Sequence, residues 1–163
     1  MYKRQLVDVQ YGKTEGNTQH PVFGIAASDE DLDTIRTTLK KKGIEFEDIS
    51  EDDDVRFRMI HYQPELCQHP LFVHIEFPER AGAFLDFMER IADLASLCYF
   101  NYTYTGERVG RALVGMEFDT AEDRETIRKR MGAFSKNIIR SIREISPEAF
   151  QRIMGSRQLT GNH

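Results

Sequence analysis

The spacing of apolar residues changes from strand-like to helical within residues 71–118, and this change constrains the fold more than any other feature of the sequence. Residues 71–77 alternate large apolar and polar side chains up to Pro78, which is typical of a half-buried strand. Within 83–95 the apolar residues recur three and four positions apart. That spacing predicts a helix with one apolar face. The segment therefore begins as a strand, a tight turn and a helix.

Four further elements follow in the second half of the chain. Residues 97–105 and 109–118 are rich in residues that favour strands, and a hairpin-length break at 106–108 separates them. A polar helix over 120–132 and a strand over 137–145 come next. The order is βαββαβ, which is called ferredoxin-like, so the sequence predicts an α+β fold.

The first half of the chain repeats part of this order. Strands are predicted over 6–11, 21–27 and 44–49. The acidic start after Ser28 predicts a helix that runs to about Lys42. A second capping pattern predicts a helix over 50–62.

An internal repeat relates the two halves. Tyr11 matches Tyr102 and Gly24 matches Gly115, each at an offset of 91 (102 − 11 and 115 − 24). The counterpart of 71–94 would fall at about residues −20 to 3 (71 − 91 and 94 − 91) and is absent. We therefore expect two tandem copies with the first incomplete, which would leave one sheet edge and some apolar surface bare.

The repeat also predicts how the chain is divided. Residues 6–62 are expected to form a partial first subdomain, 63–70 a linker, and 71–155 a complete second subdomain that ends in a helix. The absent strand and helix predict an N-terminally truncated fragment. Residues 1–5 resemble the translation of a sequencing adapter, so they are not expected to belong to the fold.

Composition argues against several classes of protein. The chain has 163 residues and a formal net charge of −5, which gives no electrostatic reason to expect nucleic-acid binding. No apolar run approaches the roughly 20 residues that a membrane-spanning helix needs. Cys67 and Cys98 are the two cysteines and do not make a disulfide framework. A reducing, cytoplasmic location is therefore predicted.

Four short motifs occur in order along the chain: DISEDD at 48–53, FPERAGAFL at 77–85, FNY at 100–102 and RALVGME at 111–117. They resemble motifs of the regulatory region of biosynthetic threonine ammonia-lyase, also called threonine dehydratase. The second resembles the FPERPGALL segment that opens the second regulatory subdomain of that family. The similarity covers about residues 6–155.

This resemblance implies a pair of ACT-like subdomains that bind amino-acid effectors such as isoleucine and valine. The parent enzyme would convert L-threonine to 2-oxobutanoate and ammonia, with pyridoxal phosphate in a separate catalytic domain, and the family suggests homo-tetramers through that domain. No segment here matches the cofactor-binding lysine motif, so this chain is expected to hold no cofactor and no catalytic residue. The resemblance assigns effector contacts to Tyr11, Gly82, Phe100, Asn101 and Tyr102.

Some details of the resemblance leave alternatives open. Thr103 and Gly12 stand where the family has an arginine after its tyrosine, and an arginine would suit an effector carboxylate. Gly82 either caps a helix or faces a small anion. The recurrence of Tyr11 as Tyr102 reflects either shared packing or a shared effector contact.

Other functions have weaker support in the sequence. The spacing of His61, Cys67, His69 and His74 fits no common zinc pattern, so no metal site is predicted. The acids at 51–54 suit a helix start better than calcium. The tyrosine-rich strand could suit RNA, but the acidic balance argues against it. A free-standing amino-acid sensor and a ligand-free dimerisation module remain as alternative functions.

Overall fold

The structure is a computed structural model that describes residues 5–14, 20–51, 63–80, 82–104 and 109–153. The described strands are β1 (Gln5–Gly12), β2 (Val22–Ala26), β3 (Leu71–Pro78), β4 (Ser96–Tyr104), β5 (Val109–Glu117) and β6 (Ser141–Ile145). The described helices are α1 (Asp29–Lys41), α2 (Ala83–Ile91), α3 (Ala121–Gly132) and α4 (Pro147–Ile153). A short 3-10 helix, Pro64–Leu66, precedes β3. None of the described helices has the length and apolarity that crossing a bilayer requires.

All six strands lie in one sheet, in the order β2-β1-β4-β5-β3-β6, and every pairing is antiparallel. The last four positions hold the strands of the second half, with the helices α2 and α3 as their connections. That order is the one a ferredoxin-like βαββαβ unit produces. The predicted α+β, ferredoxin-like fold class is confirmed.

The first-half hairpin extends this sheet through β1, which pairs with β4. The pairing joins five residue pairs, from Asp8 opposite Thr103 to Gly12 opposite Tyr99. The middle pair is Gln10 opposite Asn101, and these two residues differ by the repeat offset (101 − 10 = 91). Equivalent residues therefore face each other at the centre of the pairing, as a two-fold relation between the copies requires.

The two hairpins have the same internal register. Each contains a bulge at the same place, between Leu6 and Asp8 in the first and between Leu97 and Tyr99 in the second. Each residue pair of the first hairpin recurs 91 positions later in the second: Leu6–Ile25 as Leu97–Met116, Asp8–Gly24 as Tyr99–Gly115, and Val9–Phe23 as Phe100–Val114. The offset seen in the sequence is thus a structural equivalence of the two hairpins.

The helices that follow the hairpins begin in the same way. Ser28 caps α1 by accepting a hydrogen bond from the Asp31 N–H at 3.2 Å, and Thr120 caps α3 through the Asp123 N–H at 3.1 Å. These caps are 92 residues apart (120 − 28). Acidic first turns and basic last turns complement the dipole of both helices.

The predicted strand over 44–49 is wrong, because this segment forms no ladder in the sheet. Its counterpart in the second copy is β6, which pairs with β3. Among the described residues the first copy has no equivalent of β3, so the segment lacks a partner. It is held to α1 instead, because Arg36 bonds Asp48 at 2.6 Å while Asp48 also accepts from the Ser50 N–H. Ile44 and Phe46 remain exposed.

Two predicted boundaries also need correction. The helix predicted over 83–95 ends at Ile91, and Leu94 and Ala95 follow in a turn whose N–H groups bond the Ile91 carbonyl. The strand predicted from 137 begins at Ser141. In both cases apolar residues of a turn that pack against the core, partly buried at 94–95 and buried at 138–139, extend the apolar pattern beyond the element. The predicted helix over 50–62 lies outside the described residues beyond 51, as does the break at 106–108.

Two apolar clusters hold the described structure together, one on each face of the sheet. The larger lies under α2 and α3 and includes Ile75, Phe77, Phe87, Phe100 and Val114. The smaller lies under α4 and consists of Phe72, Cys98, Tyr99, Ile145 and Phe150. Phe72 and Phe150 stack with ring centroids 4.0 Å apart. Burial of these apolar side chains stabilises the packing of the helices on the sheet.

Candidate functional site

The junction of the two copies lies where β1 meets β4, and we call this pairing the seam. Tyr11 lies opposite Phe100 and Val9 lies opposite Tyr102, so all four side chains project from the same face of the sheet. This is the face that α2 and α3 cover, and all four residues belong to or pack against the larger core cluster. Three predicted effector residues, Tyr11, Phe100 and Tyr102, therefore share one surface.

Tyr102 packs against the strand–turn–helix formed by β3 and α2. Its ring centroid is 6.3 Å from that of Phe77 and 6.4 Å from that of Phe84. Phe84 in turn lies 4.9 Å from Phe100. Burial raises the pKa of the Tyr102 hydroxyl. A small apolar side chain would find aromatic partners on this surface.

Gly82 is the N-cap of α2 and lies two residues before Phe84. Its φ of +78° is a left-handed conformation that favours glycine, and it caps the helix without a side-chain hydrogen bond. Arg80 lies beside this turn, where it bonds Asp86 of the first helical turn at 2.9 Å and the Asn137 carbonyl at 3.0 Å. A helix start with an adjacent guanidinium attracts anions, although Asp86 supplies one negative charge already.

Tyr11 has the least ordinary environment of the predicted residues. Its side chain is buried, and its Oη has no hydrogen-bond partner among the described residues. Burial raises the pKa of this hydroxyl, while the nearby Lys13 cation acts in the opposite direction. A buried hydroxyl without a partner is costly, so such groups call for an explanation in terms of a bound molecule or a function.

A second group of residues closes the seam beside Tyr11, and we call it the clasp. Lys13 Nζ donates to both carboxylate oxygens of Glu117, at 2.7 and 2.8 Å, and to the Leu66 carbonyl at 3.1 Å. The Lys13 backbone N–H donates to the Cys98 carbonyl at 2.8 Å, and the Gln63 N–H donates to the Lys13 carbonyl at 2.9 Å. One lysine thus joins the first hairpin to β4, β5 and the segment before β3.

The residues of the clasp carry no signal in the sequence. Lys13 and Glu117 are 104 residues apart, and each is an ordinary charged residue at a strand end. The hydrogen bond to Glu117, opposed by partial burial, raises the pKa of Lys13. No local pattern marks such a pair, although the repeat offset does bring β1 to β4 and so brings their ends together.

Asn101 does not join the other predicted residues. It lies opposite Gln10 and Leu113, and it points to the opposite face from Phe100 and Tyr102 because successive strand residues alternate.

Among the described residues no three His, Cys, Asp or Glu side chains gather as ligands for a cation.

The sheet order and the positions of the helices define the class of protein: an ACT-like domain of the ferredoxin type. Residues 67–141 match the family model of the C-terminal regulatory domain of threonine dehydratase. This segment of the chain is therefore similar to that regulatory domain, and the motifs at 77–85, 100–102 and 111–117, which carry the resemblance, all lie within it. No curated protein matches the chain significantly.

Proposed function

We propose that the chain is an amino-acid-responsive regulatory module of a threonine dehydratase and that isoleucine- or valine-type effectors bind at the seam. Residues 6–62 would be a partial first subdomain, 63–70 a linker and 71–155 the complete second subdomain. The catalytic domain, with its pyridoxal phosphate, would convert L-threonine to 2-oxobutanoate and ammonia. The family of the matched segment supports the parent reaction, and the aromatic surface at the seam supports an apolar ligand.

The observation that carries effector binding is the buried Tyr11 hydroxyl without a partner. An amino acid at the seam offers a carboxylate and an ammonium group, and either would supply the missing hydrogen bond. Its aliphatic side chain would pack against Phe84 and Phe100, whose rings already form one surface. Satisfying a buried hydroxyl is worth about 1–3 kcal/mol, which is enough to select a ligand that pairs with it.

The regulatory mechanism follows from where the ligand would sit. The seam joins two structurally equivalent hairpins, and the clasp ties the same junction to the segment before β3. A ligand that contacts both sides of the seam favours the arrangement in which they are closed. An effector changes a conformational equilibrium only through its differential affinity for the two states. This shift in the conformational equilibrium would be transmitted to the catalytic domain and to the other copies of the oligomer.

Calorimetric titration of the full chain with isoleucine and with valine tests this proposal. Tyr11→Phe removes the hydroxyl and keeps the ring, so we expect the affinity for the effector to fall roughly fivefold to tenfold, or about 1 kcal/mol. The same change should raise the free energy of unfolding of the unliganded protein by about 1 kcal/mol, because a buried unpaired group is lost.

Tyr99→Phe is the matched control, because Tyr99 lies on β4 but belongs to the cluster on the other face of the sheet. The affinity of the Tyr99→Phe variant for the effector should equal that of the unmodified chain. Absence of heat with both amino acids, or an equal loss of affinity in the two variants, would show that the seam is not the effector site.

A further inference from the structure

The two cysteines of the chain come together in the fold. Cys67 lies just before β3 and Cys98 lies in β4, 31 positions later (98 − 67). Cys67 packs against the smaller core cluster, of which Cys98 is a member. The two side chains are close enough for the Cys67 thiol to raise the pKa of the Cys98 thiol. Since the chain has 2 cysteines, each thiol has the other as its single intramolecular partner for a disulfide.

The clasp fixes the backbone on both sides of this thiol pair. Lys13 holds the Leu66 carbonyl, one residue before Cys67, and its own N–H holds the Cys98 carbonyl. Gln68, one residue after Cys67, donates to Glu117 at 3.3 Å and accepts from the Phe118 N–H at 3.0 Å. The chain around Cys67 is therefore anchored to Lys13 and to the end of β5, on the two sides of the strand that carries Cys98. Such anchoring holds the backbones of the two cysteines in a fixed relation.

The two thiols differ in access. Cys98 is fully buried, with 0% of its surface exposed, whereas Cys67 is partly exposed. The nearby Cys67 thiol, together with burial, raises the pKa of the Cys98 thiol. Because the thiolate is the nucleophile, Cys67 is the group that an external oxidant meets first.

We propose that Cys67 and Cys98 form a redox-active dithiol that closes to a disulfide by exchange with a low-molecular-weight disulfide of the glutathione class. The Cys67 thiolate attacks one sulfur of the oxidant, which forms a mixed disulfide and releases the first thiolate. The Cys98 sulfur then attacks Cys67 Sγ, and its proton goes to the second departing thiolate. The protein loses two electrons and two protons, and the oxidant is reduced to two thiols.

The closed disulfide would tie the segment before β3 directly to β4, next to Lys13 and Tyr11. The clasp already makes this connection through hydrogen bonds, so the disulfide adds a covalent lock at the seam. Formation of this disulfide is measured directly from the loss of free thiols, so its test does not depend on effector binding.

The experiment incubates the reduced full chain, at low concentration, with oxidised glutathione and follows free thiols and intact mass. We expect both thiols to disappear together, with a monomer that lacks two hydrogen atoms and carries no glutathione. Closure should be at least about tenfold slower in denaturing urea, since the fold holds the sulfur atoms together. A lasting glutathione adduct on the unmodified chain, a disulfide between two chains, or thiols that do not react would overturn the proposal.

Two variants separate the roles of the thiols. Cys98→Ala should stop at a stable single adduct on Cys67, because the resolving thiol is gone. Cys67→Ser should leave Cys98 unreactive in the folded protein and reactive in urea. Equal reactivity of the two variants in the folded protein would contradict the assigned order of attack.

Discussion

Lys13 shows how much of the junction depends on a single side chain. It contacts Glu117 of β5, the carbonyl of Leu66 and, through its backbone, Cys98 of β4. The Lys13 and Glu117 side chains are 25% and 15% exposed, so solvent screens their ion pair less than it screens a surface pair. We expect this lysine to contribute to stability in a way that depends on pH.

Lys13→Met removes the charge and keeps much of the aliphatic length. In the unmodified protein the pKa of Lys13 is raised in the folded state. The stabilisation that the lysine charge provides is therefore fully present below the unfolded pKa of about 10.4 and is lost as the pH rises through the folded pKa. At about pH 7 the variant should lose about 1–3 kcal/mol of unfolding free energy in urea titrations, and the difference from the unmodified chain should shrink as the pH rises above about 10.4. Lys41→Met, on the exposed end of α1, is the control and should change stability by less than about 0.5 kcal/mol at either pH. A deficit that does not vary with pH would show that the ion pair is not its cause.

At the scale of single elements, the two bulged hairpins provide a matched comparison. Gly24 and Gly115 are equivalent positions opposite the bulge, but their surroundings differ. A Cβ at Gly115 would lie 2.9 Å from the ring of Phe72 and 3.0 Å from the Cβ of Tyr99. A Cβ at Gly24 would meet the Asp8 carboxylate at 2.6 Å, which is the end of a side chain that can rotate away.

Alanine at these two glycines should therefore have unequal effects. Gly115→Ala should lower the unfolding free energy by about 1–3 kcal/mol, because the buried Phe72 and the backbone-linked Cβ of Tyr99 cannot move easily. Gly24→Ala should cost less than about 1 kcal/mol. Thermal unfolding of both variants measures the difference. Equal losses would mean that the two hairpins have the same packing constraints despite their different neighbours.

The sequence predicts what is local and misses what depends on a partner. The N-caps Ser28 and Thr120 are predictable because each acts within its own first turn. The 44–49 segment has the alternation of a strand, but a strand needs a neighbour, and alternation alone cannot supply one. The repeat offset predicts which elements are equivalent, whereas the clasp between Lys13 and Glu117 required the folded arrangement. The site residues divide in the same way, because alternation places Phe100 and Tyr102 on one face, but only the pairing adds Tyr11.

Across the whole molecule, the two copies differ in how completely they are covered. Val114 and Met116 in β5 are both 0% exposed, whereas their equivalents in β2, Phe23 and Ile25, are 52% and 38% exposed. In the second copy β3 and α2 provide the cover. The first hairpin depends on β1 and its pairing with β4 for its place in the sheet.

Hydrogen exchange should reveal this difference as a gradient of stability along the sheet. Amides of β3 and β5, which lie at interior positions, should exchange on the order of 100-fold more slowly than amides of β2, which lies at the edge of the described sheet. The cause is that local opening of β2 exposes little buried apolar surface. Backbone exchange measured by NMR checks this ordering, and equal protection of β2 and β5 would mean that the sheet unfolds as a single unit.

The pairing of Gln10 with Asn101 has a consequence for how such a chain arose. Two identical subunits that associate through the same strand must place a residue opposite its own copy at the symmetry axis. The seam has this arrangement within one polypeptide, so it has the local symmetry of a homodimer contact. Once the two partners share a chain, each is free to diverge, and a group such as Tyr11 can acquire surroundings that its twin Tyr102 does not have.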